Sequence, residues 1–395
     1  MKISGLEAKV VKLPFRFAFK HSLASRNYSE NLIVRATLSD GSELYRGFGE
    51  GIPRDYVTGE TLENALARLQ REFFPRFLDR QIADFTALTR LLRDEFADLQ
   101  LDKRAAGAAW CALELALLDA CGQWQAKPLS QLLGGVKECH HNSGIQYGAV
   151  IPFGGKRAAT AMLWFYKLFG FATVKLKVGK SDEADLELVR IARAILGEEA
   201  ILRVDANCAW NAEQTIRMAD SMRRYRVASI EQPVPADDIA ALIKITDSIP
   251  EPVMVDESLC TLEQARTLVR EKACRAFNVR ISKVGGLFAG QAMVDIARNA
   301  GFIVQMGAQV GESGLLSAAG RTLASVNDTF ENCEGSNNFF LLQKDLTEEN
   351  LNVGFGGRGK LLPGNGLGVK VKSGVRESLM NDSVVDNRSL VASNW

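Results

Sequence analysis

The chain is poor in histidine. It has three, His21, His140 and His141, and all of them precede the segment that carries most of its charged motifs. A histidine base on a late strand is therefore excluded. No Ser-His-Asp constellation, P-loop or G-x-G-x-x-G is present, so triad hydrolysis and the common nucleotide cradles have no sequence support. The seven cysteines include no C-x-x-C and are scattered through apolar segments, which reads as reduced, buried thiols in a cytoplasmic protein. Charge of one sign is also lacking: 48 Lys+Arg against 47 Asp+Glu give a net charge of +1. Neither nucleic acid nor an anionic membrane is an expected partner. The N-terminus MKISGLEAKVVKLPF lacks signal-peptide architecture, and no apolar run reaches transmembrane length.

Apolar residues make up 47% of the 395, enough for two domains or one large barrel with additions. Residues 1–60 alternate as strands, broken by the turn signal Ser39-Asp40-Gly41. Between the strands FKHSLASRNYSEN is polar, and reads either as a loop over a site or as an ordinary hairpin connection. Residues 61–134 turn helical, with Thr61 opening one helix and Asp102 placed to cap a second that is apolar on nearly all faces. Gly134-Gly135 then punctuates the chain. The expected division is an α+β capping domain over 1–135, a barrel over 136–365, and a segment over 366–395 that returns to the capping domain.

From residue 143 onward, short apolar runs alternate with helical patterns. Charged residues close the runs: Lys175 and Lys177 in TVKLKVG, Asp205 in LRVDAN, Glu231 in SIEQP, Asp256 in MVDES and Lys283 in VRISKVGG. From Lys175 the steps are 30, 26, 25 and 27 residues, about one strand–helix unit each. Eight such strands close naturally into a barrel, and charges at the carboxyl ends of parallel strands share one mouth. An open doubly wound sheet is the alternative, but it has one switch point, whereas here most strand ends are polar.

Asp205, Glu231 and Asp256 are oxygen donors on three adjacent strands, suited to a hard cation. Mg²⁺ is expected, with Mn²⁺ an acceptable substitute, and Asn207, Glu257 and Glu312 are expected around these ligands. Lys175 and Lys177 share a face by the period of two, and Lys283 arrives four strands later, across the barrel. Bases on opposite sides of a substrate can remove a proton from one face and return it to the other. A proton beside a carboxylate leaves a dianion when removed. A unit charge pair at 4 Å contributes about 4 kcal/mol at an effective dielectric of 20, and a dication about twice that. One neutral donor supplies about 3–4 kcal/mol, so the metal is the stronger means.

These motifs, in this order, resemble the enolase superfamily, and within it the muconate-lactonizing subgroup. The resemblance rests on Lys175-Leu176-Lys177, Asp205-Ala206-Asn207, Glu231-Gln232-Pro233, Asp256-Glu257-Ser258 and Lys283-Val284-Gly285-Gly286, and it covers nearly the whole chain. It implies a modified (β/α)7β TIM-like barrel with an α+β cap completed by the C-terminal tail. It also implies Mg²⁺ on Asp205, Glu231 and Asp256, Lys177 and Lys283 as opposed bases, and Lys175 tuning Lys177. A Lys or His base with Mg²⁺ belongs to the superfamily's known chemistry and is not a product of the spacing. The Lys20–Asn31 stretch matches the family's specificity lid, so His21 and Arg26 are expected to meet substrate together with Glu334. The small-molecule substrate is expected to be a carboxylate, and the protein to self-associate as a dimer or octamer. The leading reading is a muconate cycloisomerase-like isomerase. The alternatives are a racemase or epimerase of N-acylamino acids or dipeptides, and an o-succinylbenzoate synthase-like dehydratase. Dipeptide epimerases typically carry Asp-x-Asp on the last strand, where this chain has Glu334-Gly335-Ser336. From a different class, a non-catalytic barrel would keep the fold without the reaction.

Overall fold

The computed structural model describes residues 1–20, 25–103, 106–336 and 338–374. Three antiparallel strands open the chain: β1 (Lys2–Lys20), β2 (Ser25–Ser39) and β3 (Leu44–Gly51), in the order β1-β2-β3. The predicted turn is real, with Asp40 Oδ1 accepting the N–H groups of Ser42 and Glu43. Of the polar stretch 19–31, residues 25–31 lie in β2 and pair with β1, so its described part is hairpin strand and not loop. His21 lies outside the described residues.

The helices α1 (Leu62–Arg68), α2 (Phe85–Asp98) and α3 (Gly107–Trp124) complete the cap. Thr61 caps α1 by accepting the Asn64 N–H. The expected cap of α3 is corrected. Asp102 sits in a separate 3₁₀ turn (Leu101–Lys103), and the Glu60 carboxylate accepts the N–H groups of Ala108 and Ala109 instead. Helix α3 is buried almost all round. It lies directly on β3 because glycine alternates along one face of that strand. A Cβ at Gly47, Gly49 or Gly51 would stand 2.0, 2.1 and 1.9 Å from backbone atoms of Ala120, Ala112 and Ala108. With Ala116, whose carbonyl would lie 2.4 Å from a Cβ at Gly47, those alanines recur every four residues, one stripe of the helix.

Eight parallel strands follow: β4 (Ala149–Ile151), β5 (Thr173–Lys177), β6 (Ile201–Asp205), β7 (Val227–Glu231), β8 (Val253–Val255), β9 (Ala276–Val279), β10 (Ile303–Met306) and β11 (Phe330–Cys333). They are hydrogen-bonded in sequence order. The ends meet where Tyr147 pairs in parallel with Cys333 and the Gly148 N–H donates to the Cys333 carbonyl at 2.8 Å. The crossover helices are α4 (Lys156–Leu168), α5 (Asp182–Leu196), α6 (Ala212–Arg223), α7 (Ile239–Ser248), α8 (Leu262–Arg270), α10 (Leu287–Asn299) and α11 (Gly314–Ser325), with a one-turn helix, α9 (Ile281–Val284), between β9 and α10. Eight strands and seven full helices make the (β/α)7β barrel. Lys283, expected on a strand, rides on α9. Strand β9 ends at Val279, and the left-handed Gly285 stops the turn after four residues.

Cap and barrel are joined by buried carboxylates. Glu114 of α3 accepts the Leu287 and Phe288 N–H groups (2.5 and 3.2 Å) at the start of α10, whose own N-cap, Gly286, has no side chain. Glu50 of β3 does the same for α11, accepting from Ser313 N and Leu316 N (both 3.0 Å). Each places an acid at a positive helix end. Asp119 of α3 accepts from Phe48 N (2.9 Å) and Leu367 N (2.8 Å), tying the late residues 366–371 to the cap. Of the seven cysteines, five are buried, Cys208 is half-buried and Cys139 is exposed.

Candidate active site

The parallel register sets Lys177 beside Asp205 and Asp205 beside Glu231, at the carboxyl ends of β5, β6 and β7. Asp256 follows one residue past β8. All three acids are fully buried. Lys175 lies two residues before Lys177 and therefore on the same face.

Each acid is met by cations. Lys175 Nζ reaches Glu231 (3.0 Å), Glu334 (2.7 Å) and Asp205 (3.5 Å). Burial alone depresses its pKa, but Glu231, Glu334 and Asp205 outweigh burial and hold it above the ordinary lysine value. Lys177 Nζ donates to Asp205 Oδ2 (2.5 Å) and Asn207 Oδ1 (2.7 Å). Burial opposes ionisation of Asp205, yet Lys177 and Lys175 keep its carboxyl well below the usual range. Glu231 also accepts from Arg203 (3.1 Å) and Asn278 (2.7 Å). Asp256 is held from two sides, by Lys283 Nζ on Oδ1 (2.8 Å) and by Arg280 on Oδ2. Burial pulls Lys283 down to about 7, and the Arg280 charge adds to this.

Asn207 donates to Glu257 Oε1 (3.0 Å), whose carboxyl burial and the Asp205 charge push up. Glu312 accepts the Gln309 N–H (2.7 Å), and burial raises it to about 8. Glu334 is held down by Lys175 and Arg203 against the effect of burial.

A cavity of about 620 Å³ opens over this floor. Lys175, Lys177, Asn207, Glu257, Arg280 and Glu334 face it, whereas Lys283 does not. Its walls are apolar and aromatic: Phe17, Tyr56 and Val57 from the cap, Met162 and Phe165 from α4, and Phe340. Arg26 does not line it. The Arg26 guanidinium lies 5.6 Å from the ring centre of Tyr56, which does.

Three residues of the floor were not anticipated: Arg203, Asn278 and Arg280. Arg203 is two residues before Asp205, and Asn278 two before Arg280. The alternation that paired Lys175 with Lys177 would have put them inside.

The donor set, three carboxylates without histidine or cysteine, fits a hard divalent cation with oxygen ligands. Among the described residues no three acidic, histidine or cysteine side chains enclose a common point; the carboxylates are turned to lysine and arginine. Lys177, Arg280 and Lys283 hold the oxygens that an ion would take.

A family model described as enolase C-terminal domain-like matches residues 158–375. The N-succinyl-L-Arg/Lys racemase of Bacillus cereus is 27% identical over 321 residues, covering 81% of this chain and 83% of that one. Its crystal structure superposes with a TM-score of 0.85 at 25% identity, over 96% and 98% of the two chains. A dipeptide epimerase from Methylococcus capsulatus, solved with Mg and the dipeptide L-Arg-D-Lys, gives 0.81 at 27% identity over 94% and 100%. A muconate lactonizing enzyme from Pseudomonas fluorescens gives 0.84 at 24% identity over 95% and 98%, a likeness of fold. Among the described residues no helix is long and apolar enough to cross a membrane.

Proposed function

The chain belongs to the enolase superfamily and is an isomerase, and from that premise we propose that it is a racemase or epimerase acting at the α-carbon of an N-acylated amino acid. The lysines support proton transfer between two faces. Lys177 and Lys283 come from units four strands apart in an eight-stranded barrel, which supports an opposed pair, with Lys177 lining the cavity and Lys283 buried beneath it against Asp256. Burial pulls the Lys283 amine down to about 7, the direction in which a lysine becomes usable as a base near neutrality. Lys177 donates to Asp205 and Asn207 on the other side. Removal of the α-proton by one and return by the other inverts the centre. Lys175, kept charged by its three acids, supplies fixed positive charge.

Asp205, Glu231 and Asp256 would hold Mg²⁺, the ion carried by the Methylococcus epimerase structure. When bound, it supplies the charge that stabilises the dianion left by proton removal. The aromatic walls exclude water and receive an apolar side chain or acyl group.

The observation that carries the N-acyl reading is the state of the last strand. Glu334 is engaged by Lys175 and Arg203, and Ser336 Oγ accepts from Arg321 at 2.8 Å. Glu334 Oε1 has no hydrogen-bond partner among the described residues, but two cations offset the carboxylate's charge and Ser336 carries none, so the pair is a poor match for a substrate ammonium, which an acylated nitrogen does not present. The muconate-type likeness, at 24% identity, carries the fold alone.

Incubation with N-succinyl or N-acetyl amino acids and Mg²⁺ in D₂O tests this. Deuterium is expected at the α-carbon with inversion, and Lys177→Ala and Lys283→Ala each abolish racemisation. Lactone formation from muconate without exchange of any N-acyl amino acid would overturn the proposal. Free dipeptides turning over better than their N-acylated forms would overturn the N-acyl assignment.

A further inference from the structure

Arg280 is a floor cation that lines the cavity and to which the proton transfer gives no task. It faces the cavity, while Lys283, one helical turn along the chain, is fully buried and does not. Asp256 lies between them, with Lys283 on Oδ1 and Arg280 on Oδ2. The Arg280 Nε is buried without a hydrogen-bond partner among the described residues. The neighbouring strand leaves room for the side chain: a Cβ at Gly307 would stand 2.8 Å from Arg280 Cγ.

A buried N–H without a partner is costly, so a guanidinium that carries one gains by finding another acceptor. At equal distance a dication attracts a carboxylate oxygen twice as strongly as a guanidinium does. The planar fork of arginine matches a carboxylate bidentately, as a lysine cannot. Resting on the reading of the site given above, we infer that Arg280 is a displaceable counter-ion. It competes with the divalent cation for Asp256, and once displaced it turns into the cavity and binds the substrate carboxylate.

Two measurements on the full-length protein separate the arms: calorimetric titration of the metal-stripped form with MgCl₂ alone, and steady-state racemisation of an N-succinyl amino acid with saturating Mg²⁺ restored. In Arg280→Met, Mg²⁺ binding tightens about tenfold because the competitor is gone, the reciprocal of its displacement by metal. KM rises about tenfold, with a smaller change in kcat. Arg280→Lys keeps the positive charge, so Mg²⁺ affinity stays near that of the parent while KM remains raised; it also serves if the methionine variant fails to fold. A merely structural role would move both quantities unfavourably together. Unchanged or weaker Mg²⁺ binding in Arg280→Met overturns the competition, and an unchanged KM overturns the substrate contact. A parent protein that binds no Mg²⁺ overturns the inference entirely. One that binds Mg²⁺ but turns over no N-acyl substrate defeats the functional reading and leaves the metal arm standing.

Discussion

Gln232 shows how one residue holds the floor in shape. It follows Glu231 directly and has a left-handed backbone, φ 35°, unusual for a residue with a long side chain. Strain of that kind costs about 1–3 kcal/mol and persists only where the surroundings impose it. Here the carboxamide imposes it. Nε2 donates to the Val234 carbonyl (2.9 Å) and Ser258 Oγ (2.8 Å), and Oε1 accepts the Asp256 and Ser258 N–H groups (2.9 and 3.1 Å). All four bonding positions of the amide are used, and the end of β7 is tied to the end of β8. Gln232→Leu leaves the Asp256 and Ser258 N–H groups buried and unpaired, each costing about 1–3 kcal/mol. Mg²⁺ affinity, measured by calorimetry, is expected to fall about 10- to 100-fold, as for other residues that orient ligands. Affinity within threefold of the parent would show that the acids are positioned without it. The same neighbourhood marks what the sequence displays. Asp205, Glu231 and Asp256 stand out because each closes an apolar run at a regular interval. Gln232 has no such signal, since its work depends on Ser258 and Asp256, which are distant in sequence and adjacent only once the strands pair. Strand alternation from Asn278 reaches Arg280, but the strand itself ends at Val279, so no charged residue closes its apolar run as Asp205 and Glu231 close theirs.

At the scale of the element, strands and helices that pair with their neighbours along the chain are legible, and those fixed by distant partners are not. The barrel units show in the pattern because each carries its own apolar period and most carry a local cap. Ser181, Asn211, Asp238 and Thr261 each accept an N–H from the first turn of the helix they precede. Helices α3 and α10 break that rule, and α11 adds a distant cap to its local one, Ser313, which accepts the Leu315 N–H. Their N-termini receive Glu60, Glu114 and Glu50, carboxylates 48 to 266 residues away. Asp102 was mistaken for a cap because local sequence cannot show a remote acid. The contact of β3 with α3 is equally non-local, and it gives a direct test. A methyl group at Gly49 would meet backbone of α3 on two sides, 2.1 Å from the Ala112 carbonyl and 2.5 Å from the Ala116 nitrogen. Backbone cannot rotate away as a side chain can, so Gly49→Ala is expected to destabilise by about 3 kcal/mol or more, read from urea midpoints. Gly5→Ala, whose Cβ would make an ordinary 3.6 Å contact with Thr37, is the control and should change stability by about 0.5 kcal/mol or less. Equal effects in the two variants would mean that α3 does not ride on the glycine stripe.

For the whole molecule, the carboxylates that join cap to barrel make stability depend on pH in a direction opposite to ordinary acid denaturation. Burial raises Glu50 and Glu114 to about 7 and Asp119 to about 6, with the N–H groups they accept offsetting only part of the rise. A carboxyl whose folded pKa lies above its unfolded value binds its proton more tightly in the folded state. Its stabilising contribution is complete below the unfolded value and is lost as pH rises through the folded one. With unfolded values near 4, stability is expected to fall between about pH 5 and 7, by an order of 1–3 kcal/mol for each group. Two other sets of groups act outside that window. Asp205 and Glu334, held low by their lysine and arginine partners, contribute stability that is lost only as pH drops below the ordinary carboxylate range. Lys283, lowered to about 7, adds stability as pH climbs above that value toward its unfolded one. Glu312, raised to about 8 by burial, extends the loss to that pH against the gain from Lys283, so the urea midpoint should decline from pH 5 to 7 and level or recover above about 8. Glu114→Gln keeps an acceptor for the Leu287 and Phe288 N–H groups but cannot ionise, so it should flatten part of the decline while leaving the midpoint at pH 5 nearly unchanged. A midpoint that rises steadily from pH 5 to 7, or a glutamine variant with the parent's full slope, would show that the junction carboxylates are ionised throughout and that the seam between cap and barrel is wetter than its burial indicates.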